Sequence, residues 1–368
     1  MCGTEMSEIG SCRDEIETPA LLIDLDALRR NISKMADYFS KVDASLRPHA
    51  KTHKTPLIAH EQIKAGAIGV CCQKLGEAEV MVASGVNDVL ITNQVVSPSK
   101  IRRLVGLSDL GNVTVAVDDL EVAKATSETA ARKGAKQNVV IEVDVGINRC
   151  GVEPGKPTVE FAEKILRLKG LNLIGLLGYE GPFFNIPDFA KRKEAANARN
   201  RLLVETRELL EDAGVDIEVV SAGSTGTYNI TGEYPGITEV EAGSYVFMDT
   251  TYRKLEGLDF ECALTLLTTV ISRPRSYRAV VDAGLKEISQ EFGMPEVKGV
   301  EGITLQSLCE EHGILKLDKS DLDLGVGDKI ELIPSHCCTT VNLHGRYYCL
   351  RNGVVEAVWD IAARGKMY

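Results

Sequence analysis

The feature of this sequence that most constrains its fold is an alternation, from about residue 44 to about residue 250, of short apolar runs with longer stretches of mixed charge. The apolar runs are rich in β-forming residues and cover 44–51, 67–72, 88–93, 113–119, 138–145, 171–180, 217–223 and 238–249. The longest stretch between them, "AKRKEAANARNRLLVETRELLEDAG", has apolar residues at helical spacing and ends in Gly214, a typical helix C-cap. Eight strands separated by helices predict a parallel (β/α)8 barrel. The main alternative, a doubly wound sheet, usually has a glycine-rich turn after its first strand, whereas the first run here ends in "HAKTHK".

The pattern changes after residue 250. Shorter β-like runs follow, separated by Gly, Asn and Pro, and "RNG" at 351–353 is typical of an antiparallel hairpin. We therefore predict a (β/α)8 barrel domain over 27–250 and an antiparallel β-domain over 251–368. The segment 1–26 contains an early strand, "TPALLIDLD", which we expect to associate with the β-domain or to bridge the two.

Charge and composition exclude several classes of function. The net charge of −11 argues against nucleic-acid binding, because neutralising phosphates requires a basic surface. No apolar run approaches the roughly 20 residues that span a bilayer, and the polar N-terminus lacks the apolar core of a signal peptide. The ten cysteines are then expected to be reduced thiols. These features predict a cytoplasmic globular protein with no nucleic-acid or membrane partner.

The stretch "RPHAKTHKTP" ends the first run and holds two lysines. In an extended chain His49, Lys51 and His53 share one face, while Lys54 points the other way and precedes a helix start. Because function in such barrels lies at the carboxyl ends of the strands, we expect Lys51 to project into the mouth of the barrel. A desolvated lysine there can form a Schiff base with a carbonyl compound. The alternative is a strand-end lysine that reaches solvent.

A second motif, "SAGSTGTY" at 221–228, ends the seventh run. Its glycines and hydroxyl residues bring several backbone N–H groups into one tight turn, and barrels often bind phosphate after strands seven and eight. An ordinary Gly/Ser turn is the alternative. A phosphate turn together with a Schiff-base lysine predicts pyridoxal phosphate as the cofactor.

A third motif, "IPSHCCTTVNLH", places His336 and Cys338 two residues apart. On a strand both side chains point the same way, so that an imidazole nitrogen and a thiolate can reach one metal ion. Two protein ligands leave positions open for water and substrate, as in a catalytic site. The alternative is a strand with a buried cysteine and a hydrogen-bonded histidine.

Arg149 follows the fifth run, in "VDVGINRCG". We expect its guanidinium to bind the pyridine nitrogen of a cofactor, with an ion pair to Asp144 as the alternative.

Taken together, "RPHAKTHK", "VCCQKLGEAE", "GINRCGV", "GSTGTY", "GSYVFMD", "GMPEV" and "HCCTTVNLH" resemble the metal-dependent, fold-type III pyridoxal-phosphate enzymes that act on D-amino acids. These are the D-threonine aldolases, the 3-hydroxy-D-aspartate aldolases and the eukaryotic-type D-serine dehydratases. The resemblance runs from about Ile16 to Tyr368. It implies an alanine-racemase-like TIM barrel with a C-terminal β-domain, a homodimer, and a D-amino acid as the substrate.

The resemblance also implies roles for individual residues. Lys51 matches the Schiff-base lysine, Arg149 the partner of the pyridine nitrogen, and Gln73 and Tyr179 neighbours of the cofactor ring. The implied phosphate site consists of Gly223, Ser224, Thr225, Gly226 and Thr227, with Gly243, Ser244 and Tyr245 beside them. His336 and Cys338 match the metal pair, for which zinc is expected and manganese or magnesium remains open.

Two departures bear on the reaction. The aldolases carry Asp at the position of Cys338, whereas the dehydratases carry Cys there, as this chain does. The aldolases also place a histidine base after the sixth strand, where this chain has Asn185 in "GYEGPFFN". Glu180 remains as a candidate base if burial raises its pKa. We therefore expect β-elimination, of the D-serine or 3-hydroxyaspartate dehydratase type, to keto acid and ammonia. The alternatives are retro-aldol cleavage of D-threonine or 3-hydroxy-D-aspartate, a non-catalytic pyridoxal-phosphate carrier and a cofactor-free scaffold.

Overall fold

The computed structural model describes residues 8–318 and 322–368, so that residues 1–7 of the predicted N-terminal segment lie outside the described residues. The strands in these ranges are β1 (Ala20–Asp24), β2 (Ser45–Leu46), β3 (Val70–Cys72), β4 (Asp88–Ile91), β5 (Asn112–Val117), β6 (Gln137–Glu142), β7 (Leu171–Gly178), β8 (Val219–Ala222), β9 (Glu239–Val240), β10 (Leu264–Arg275), β11 (Arg278–Val281), β12 (Glu296–Val297), β13 (Ile303–Leu308), β14 (Gly313–Leu317), β15 (Lys329–Ile333), β16 (Arg346–Arg351) and β17 (Val354–Asp360). The α-helices are α1 (Leu25–Phe39), α2 (Pro56–Lys64), α3 (Leu75–Ala83), α4 (Pro98–Leu107), α5 (Leu120–Arg132), α6 (Lys156–Leu166), α7 (Phe189–Asp212), α8 (Tyr228–Thr231) and α9 (Cys337–Val341).

The first sheet is a parallel barrel with the strand order β2-β9-β8-β7-β6-β5-β4-β3. Two backbone hydrogen bonds join its ends, because Ile68 N donates to Leu46 O (3.0 Å) and Cys71 N donates to Pro48 O (2.9 Å). The strands are rich in buried valine and isoleucine, which suit strands covered on both faces. Helices lie between successive strands, and the predicted parallel (β/α)8 barrel is confirmed.

The first and eighth barrel strands are much shorter than their apolar runs predict. Strand β2 ends at Leu46, just before Pro48, and the chain then forms a 3-10 turn over Ala50–Thr52. Strand β9 has two residues and is soon followed by another 3-10 turn over Ser244–Val246. Residues of both turns, Lys51, Thr52 and Ser244, line the mouth of the barrel instead of extending the ladder.

The second sheet contains nine strands and is mostly antiparallel. The long strand β10 pairs with β11, β15 and β1, and β1 also lies parallel to β16. The predicted early strand is therefore an inner strand of this sheet. The hairpin β16–β17 turns through Asn352 and Gly353 with φ of 52° and 78°, as the "RNG" motif predicts.

No helix in the described ranges is long and apolar enough to cross a membrane. All cysteines in those ranges are free thiols, in agreement with the prediction from the sequence.

Candidate active site

Lys51 lies at the carboxyl end of the first barrel strand, in the 3-10 turn Ala50–Thr52. His49 caps this turn, since its Nδ1 accepts a hydrogen bond from Lys51 N (3.4 Å). The extended conformation assumed for this stretch is therefore wrong, because the chain turns directly after Pro48. Lys51 nevertheless lines a cavity at the mouth of the barrel, whereas His53 is fully buried elsewhere.

The neighbouring Lys54 has a different role. It is 4% exposed, adopts a left-handed backbone conformation (φ 52°), and its ammonium forms a buried ion pair with Glu77. Glu77 also accepts hydrogen bonds from the backbone N–H groups of Gln73 (2.9 Å) and Lys74 (3.1 Å). The Lys54–Glu77 pair thus fixes the start of α3, and Lys51 remains as the lysine that can reach a ligand.

The cavity has a volume of about 550 Å³, including its opening to solvent. It is lined by His49, Lys51, Thr52, Gln73, Thr92, Arg149, Leu177, Tyr179, Gly223, Ser224, Thr225, Glu241, Gly243, Ser244 and Tyr252. Most of the predicted cofactor residues therefore come together here. Gly226, Thr227 and Tyr245 do not line it.

The predicted phosphate turn lines the same cavity as Lys51. Backbone N–H groups of Thr225, Gly226 and Ser244 have no acceptor within the described part of the chain, so they are free to bind an anion. Gly243 packs so closely that a Cβ atom there would lie 2.7 Å from Thr52 Oγ1 and 2.9 Å from His49 O. The donors and the close approach fit the phosphate end of pyridoxal phosphate, with Lys51 at the aldehyde end.

Residues behind the turn hold it in shape. Tyr245 N donates to Thr225 Oγ1 (3.0 Å), while the Tyr245 hydroxyl accepts a hydrogen bond from Gln62 (2.9 Å). The Tyr245 side chain is fully buried and does not reach the cavity. Its predicted contact with the cofactor does not match this position, and Tyr245 supports the turn from behind.

Glu180 lies beneath the same turn. Its carboxylate accepts hydrogen bonds from Gly223 N (2.9 Å), Thr231 Oγ1 (3.1 Å) and the Thr227 hydroxyl. Burial raises the pKa of Glu180, and these hydrogen bonds oppose the shift. Because the carboxylate is buried, hydrogen-bonded and absent from the cavity lining, its position does not fit the catalytic base predicted from the sequence.

Arg149 lines the cavity with half of its side chain exposed. Its guanidinium lies over the ring of Tyr179 (5.3 Å) and 3.5 Å from Glu142 Oε1. The alternative pair with Asp144 does not form, because the Asp144 carboxylate accepts three backbone hydrogen bonds from residues 146–148. Arg149 is therefore available to a ligand in the cavity.

His336 and Cys338 do not line the cavity, but Cys338 Sγ contacts the hydroxyl groups of two residues that do, Thr52 and Ser244. Strand β15 ends at Ile333 and His336 caps the short helix α9, so the strand alternation assumed for the pair is wrong. The two side chains still interact: burial lowers the pKa of His336, but the Cys338 thiolate and hydrogen bonds to Cys338 and Glu291 outweigh it and raise that pKa to about 9. Cys338 Sγ lies 3.3 Å from Thr52 Oγ1, next to the lysine turn. A thiolate and an imidazole form a donor set that suits zinc.

Sequence reasoning missed Glu241, a cavity residue. Glu239 and Glu241 lie two residues apart, and alternation along the eighth run could have indicated that they share a face. Glu239 is paired with the buried Arg47 (3.0 Å), whereas the only hydrogen-bond donor to the Glu241 side chain within the described residues is the Ser221 hydroxyl (2.8 Å). Burial raises the pKa of Glu241 to about 8.

This shift predicts a pH-dependent stability of the cofactor-free protein. The folded state keeps a proton on Glu241 that the unfolded chain loses near its ordinary pKa of about 4.3, so the free energy of unfolding falls between about pH 4.3 and the folded pKa. Urea unfolding at pH 5.5 and 8.5 should show a smaller decrease for Glu241→Gln than for the wild type. The exposed Glu218→Gln is the control and should behave as the wild type. Equal decreases in all three proteins would contradict the assignment.

The fold and the cavity define a class of protein: a barrel with a lysine in the cavity at its mouth, a turn rich in glycine and hydroxyl residues in the same cavity, and a histidine–cysteine pair nearby. Residues 23–251 match the family described as "Alanine racemase, N-terminal domain", and residues 263–350 match the "Putative serine dehydratase domain". The 3-hydroxy-D-aspartate aldolase of Paracoccus denitrificans is 38% identical over 98% of this chain and 95% of its own length. The chain belongs to the fold-type III pyridoxal-phosphate family of D-amino-acid lyases, as its motifs predict.

Solved structures agree with this assignment. The D-threonine aldolase from Filomicrobium marinum superposes with a TM-score of 0.94 at 38% identity, covering 98% of this chain and 99% of the aldolase. The D-threo-3-hydroxyaspartate dehydratase from Delftia sp. HT23 superposes with a TM-score of 0.87 at 29% identity, covering 95% and 98%. Structures of that dehydratase include a cysteine-to-alanine mutant in the metal-free form and a histidine-to-alanine mutant two positions earlier.

Proposed function

We propose that this protein is a pyridoxal-phosphate- and divalent-metal-dependent aldolase. It cleaves β-hydroxy-D-amino acids between Cα and Cβ to glycine and an aldehyde. The observation that carries the proposal is the likeness over the whole chain, which is greater to the aldolases (38% identity, TM-score 0.94) than to the dehydratase (29% identity, TM-score 0.87). The comparisons thus favour the retro-aldol alternative over the β-elimination expected from the sequence.

One observation favours β-elimination as a second candidate. His336 and Cys338 have the same spacing as the histidine and cysteine mutated in the dehydratase structures. Purified protein incubated with D-serine, D-threonine and D-3-hydroxyaspartate distinguishes the two reactions. The aldolase yields glycine and an aldehyde from each substrate that it accepts, and a dehydratase yields a keto acid and ammonia.

Different residues in and around the cavity have different roles in the proposed reaction. The Thr225 and Ser244 amides, with the Gly226 amide of the same turn beside the cavity, would bind the cofactor phosphate, and Arg149 its pyridine nitrogen. Pyridoxal phosphate supplies an aldehyde for the substrate amine and an electron sink for charge that develops at Cα. Lys51 Nζ, in the same cavity, can donate a proton to Cα once the Cα–Cβ bond has broken.

His336 and Cys338 would hold the metal, which as a Lewis acid would polarise the β-hydroxyl group and favour loss of its proton to solvent as the aldehyde forms. Thr52 and Ser244 place this pair next to both the lysine turn and the phosphate turn, since Cys338 Sγ lies 3.3 and 3.9 Å from their hydroxyl groups. A substrate bound through its amine near Lys51 would therefore have its β-substituent within the same small space. Zinc fits the thiolate best, with manganese or magnesium as further candidates.

Glu180 is a positioning residue in this account. Glu180→Ala removes the acceptor for Gly223 N and two threonine hydroxyls, so we expect the affinity of the apoprotein for pyridoxal phosphate to fall by roughly 10- to 100-fold. Glu180→Gln retains an acceptor oxygen and should lose less. Titration of the apoprotein with cofactor, followed by absorbance, measures both. Unchanged cofactor affinity in Glu180→Ala, with a lost acidic limb in the pH–rate profile, would instead indicate a catalytic base.

The remaining expectations stay predictions. A homodimer follows from the resemblance, and a cytoplasmic location follows from the composition. Light scattering of the purified protein tests the homodimer, and the substrate panel identifies the preferred β-substituent.

A further inference from the structure

The ring of His336 is fixed on two sides by one segment of the β-domain. Its Nδ1 lies 2.7 Å from the Glu291 carboxylate, and its face stacks on Phe292 with ring centroids 4.2 Å apart and an interplanar angle of 14°. Phe292 stacks in turn on Phe184 (4.3 Å, 27°), which lies in the connection between β7 and α7 of the barrel. Glu291 and Phe292, which are neighbours in the sequence, thus contact the Nδ1 edge and the ring face of His336, respectively.

This contact determines which nitrogen of His336 can bind a metal. An imidazole that donates its Nδ1 proton to a carboxylate presents the lone pair of Nε2 on the opposite side of the ring. A carboxylate in that position fixes the tautomer and increases the basicity of the ligand.

We propose that Glu291 is a positioning residue for the metal, which directs Nε2 of His336 toward the ion shared with Cys338. Phe292, supported by Phe184, keeps the ring in the plane that this requires. The inference rests on the proposed function insofar as His336 and Cys338 are the metal ligands. The inference extends the proposed function by assigning positioning roles to the Glu291 carboxylate and to the stacked rings of Phe292 and Phe184, which belong to segments far apart in the sequence.

The fold does not depend on this ion pair. The side chain of Glu291 is 46% exposed, and exposed pairs contribute little to stability. The segment is attached to the His336 region by other bonds, because Ser335 Oγ donates to Ser289 O (3.2 Å) and Ser289 N donates to Thr340 Oγ1 (3.2 Å). Substitution of Glu291 should therefore change the orientation of the histidine and leave the segment in place.

Zinc affinity, measured by competition with a chelating dye, tests the proposal without relying on activity. We expect Glu291→Ala to weaken zinc binding by roughly 10- to 100-fold and Glu291→Gln, which can still accept the Nδ1 proton, to weaken it less. Glu296→Gln is the matched control, since Glu296 lies in the same part of the chain and pairs with Arg253 and Lys254. It should bind zinc as the wild type does. Thermal unfolding of the cofactor-free variants should stay close to that of the wild type.

The outcomes separate the inference from the proposed function. If His336→Ala loses zinc binding while Glu291→Ala retains it in full, the positioning role of Glu291 is wrong and the metal pair stands. If His336→Ala and Cys338→Ala both bind zinc like the wild type, the metal site itself is wrong. If Phe292→Leu weakens zinc binding, the aromatic stack contributes, and unchanged binding would remove it from the account.

Discussion

Replacing Lys51 by alanine is expected to reduce kcat by roughly 10³-fold or more, because the same amine holds the cofactor and moves the proton at Cα. The variant should also lose the visible absorbance of the lysine-bound cofactor, and borohydride should no longer attach the cofactor to the chain. Lys51 is placed for this role by a turn, a histidine cap and the cavity that it lines. Spectra and turnover of the wild type and the variant, at saturating cofactor, provide the measurement.

Lys54→Met is the matched control. Lys54 is buried against Glu77, so its loss leaves an unpaired buried carboxylate and should cost about 3–5 kcal/mol of stability. The visible absorbance should remain in the fraction that is folded. A Lys51→Ala protein that keeps a borohydride-sensitive band, together with a Lys54→Met protein that lacks it, would mean that the wrong lysine has been assigned.

Removal of the metal is expected to have the second large effect. Lewis-acid assistance is worth several kcal/mol, so treatment with a chelator, His336→Ala or Cys338→Ala should each lower kcat on the order of 10³-fold. Cofactor absorbance should persist, because the phosphate turn and Lys51 are untouched. Zinc should restore the chelated wild type and not the variants.

Cys309→Ala is a suitable control for the cysteine substitution, since Cys309 is an exposed thiol of the β-domain and does not line the cavity. It should be as active as the wild type. Full activity of the wild type after exhaustive chelation, confirmed by metal analysis, would contradict a catalytic role for the His336–Cys338 pair.

The barrel and the β-domain were predictable because period-two and helical patterns repeat over long stretches of chain. The placement of Lys51 was also predictable, although the reason was partly wrong: the residues after Pro48 form a 3-10 turn and not a strand. His336 and Cys338 show the same behaviour, since they meet at a helix start and not along a strand. In both places a local turn replaces the expected strand, but the side chains of Lys51 and of the His336–Cys338 pair still lie close to the groups expected around them.

Other parts of the site depend on contacts that no local pattern records. Glu180 follows a barrel strand, so its sequence position suggests a cavity residue, yet its carboxylate turns back to bond Gly223 and Thr227. Glu291 and Phe292 meet His336 from a segment more than forty residues earlier, and such loop contacts become visible only in three dimensions. Glu241 is an intermediate case. Its spacing from Glu239 can be read from the sequence, whereas its lack of a cation partner among the described residues cannot.

The central claim, cleavage of the Cα–Cβ bond, is tested most directly by the nitrogen balance of one reaction. The zinc- and cofactor-loaded protein is incubated with D-threonine, and glycine and ammonia are quantified in the same sample. The account predicts one glycine and one acetaldehyde for each D-threonine consumed, with no ammonia above the Lys51→Ala control. Ammonia and 2-oxobutanoate in equal amounts, without glycine, would contradict it and identify the protein as a dehydratase.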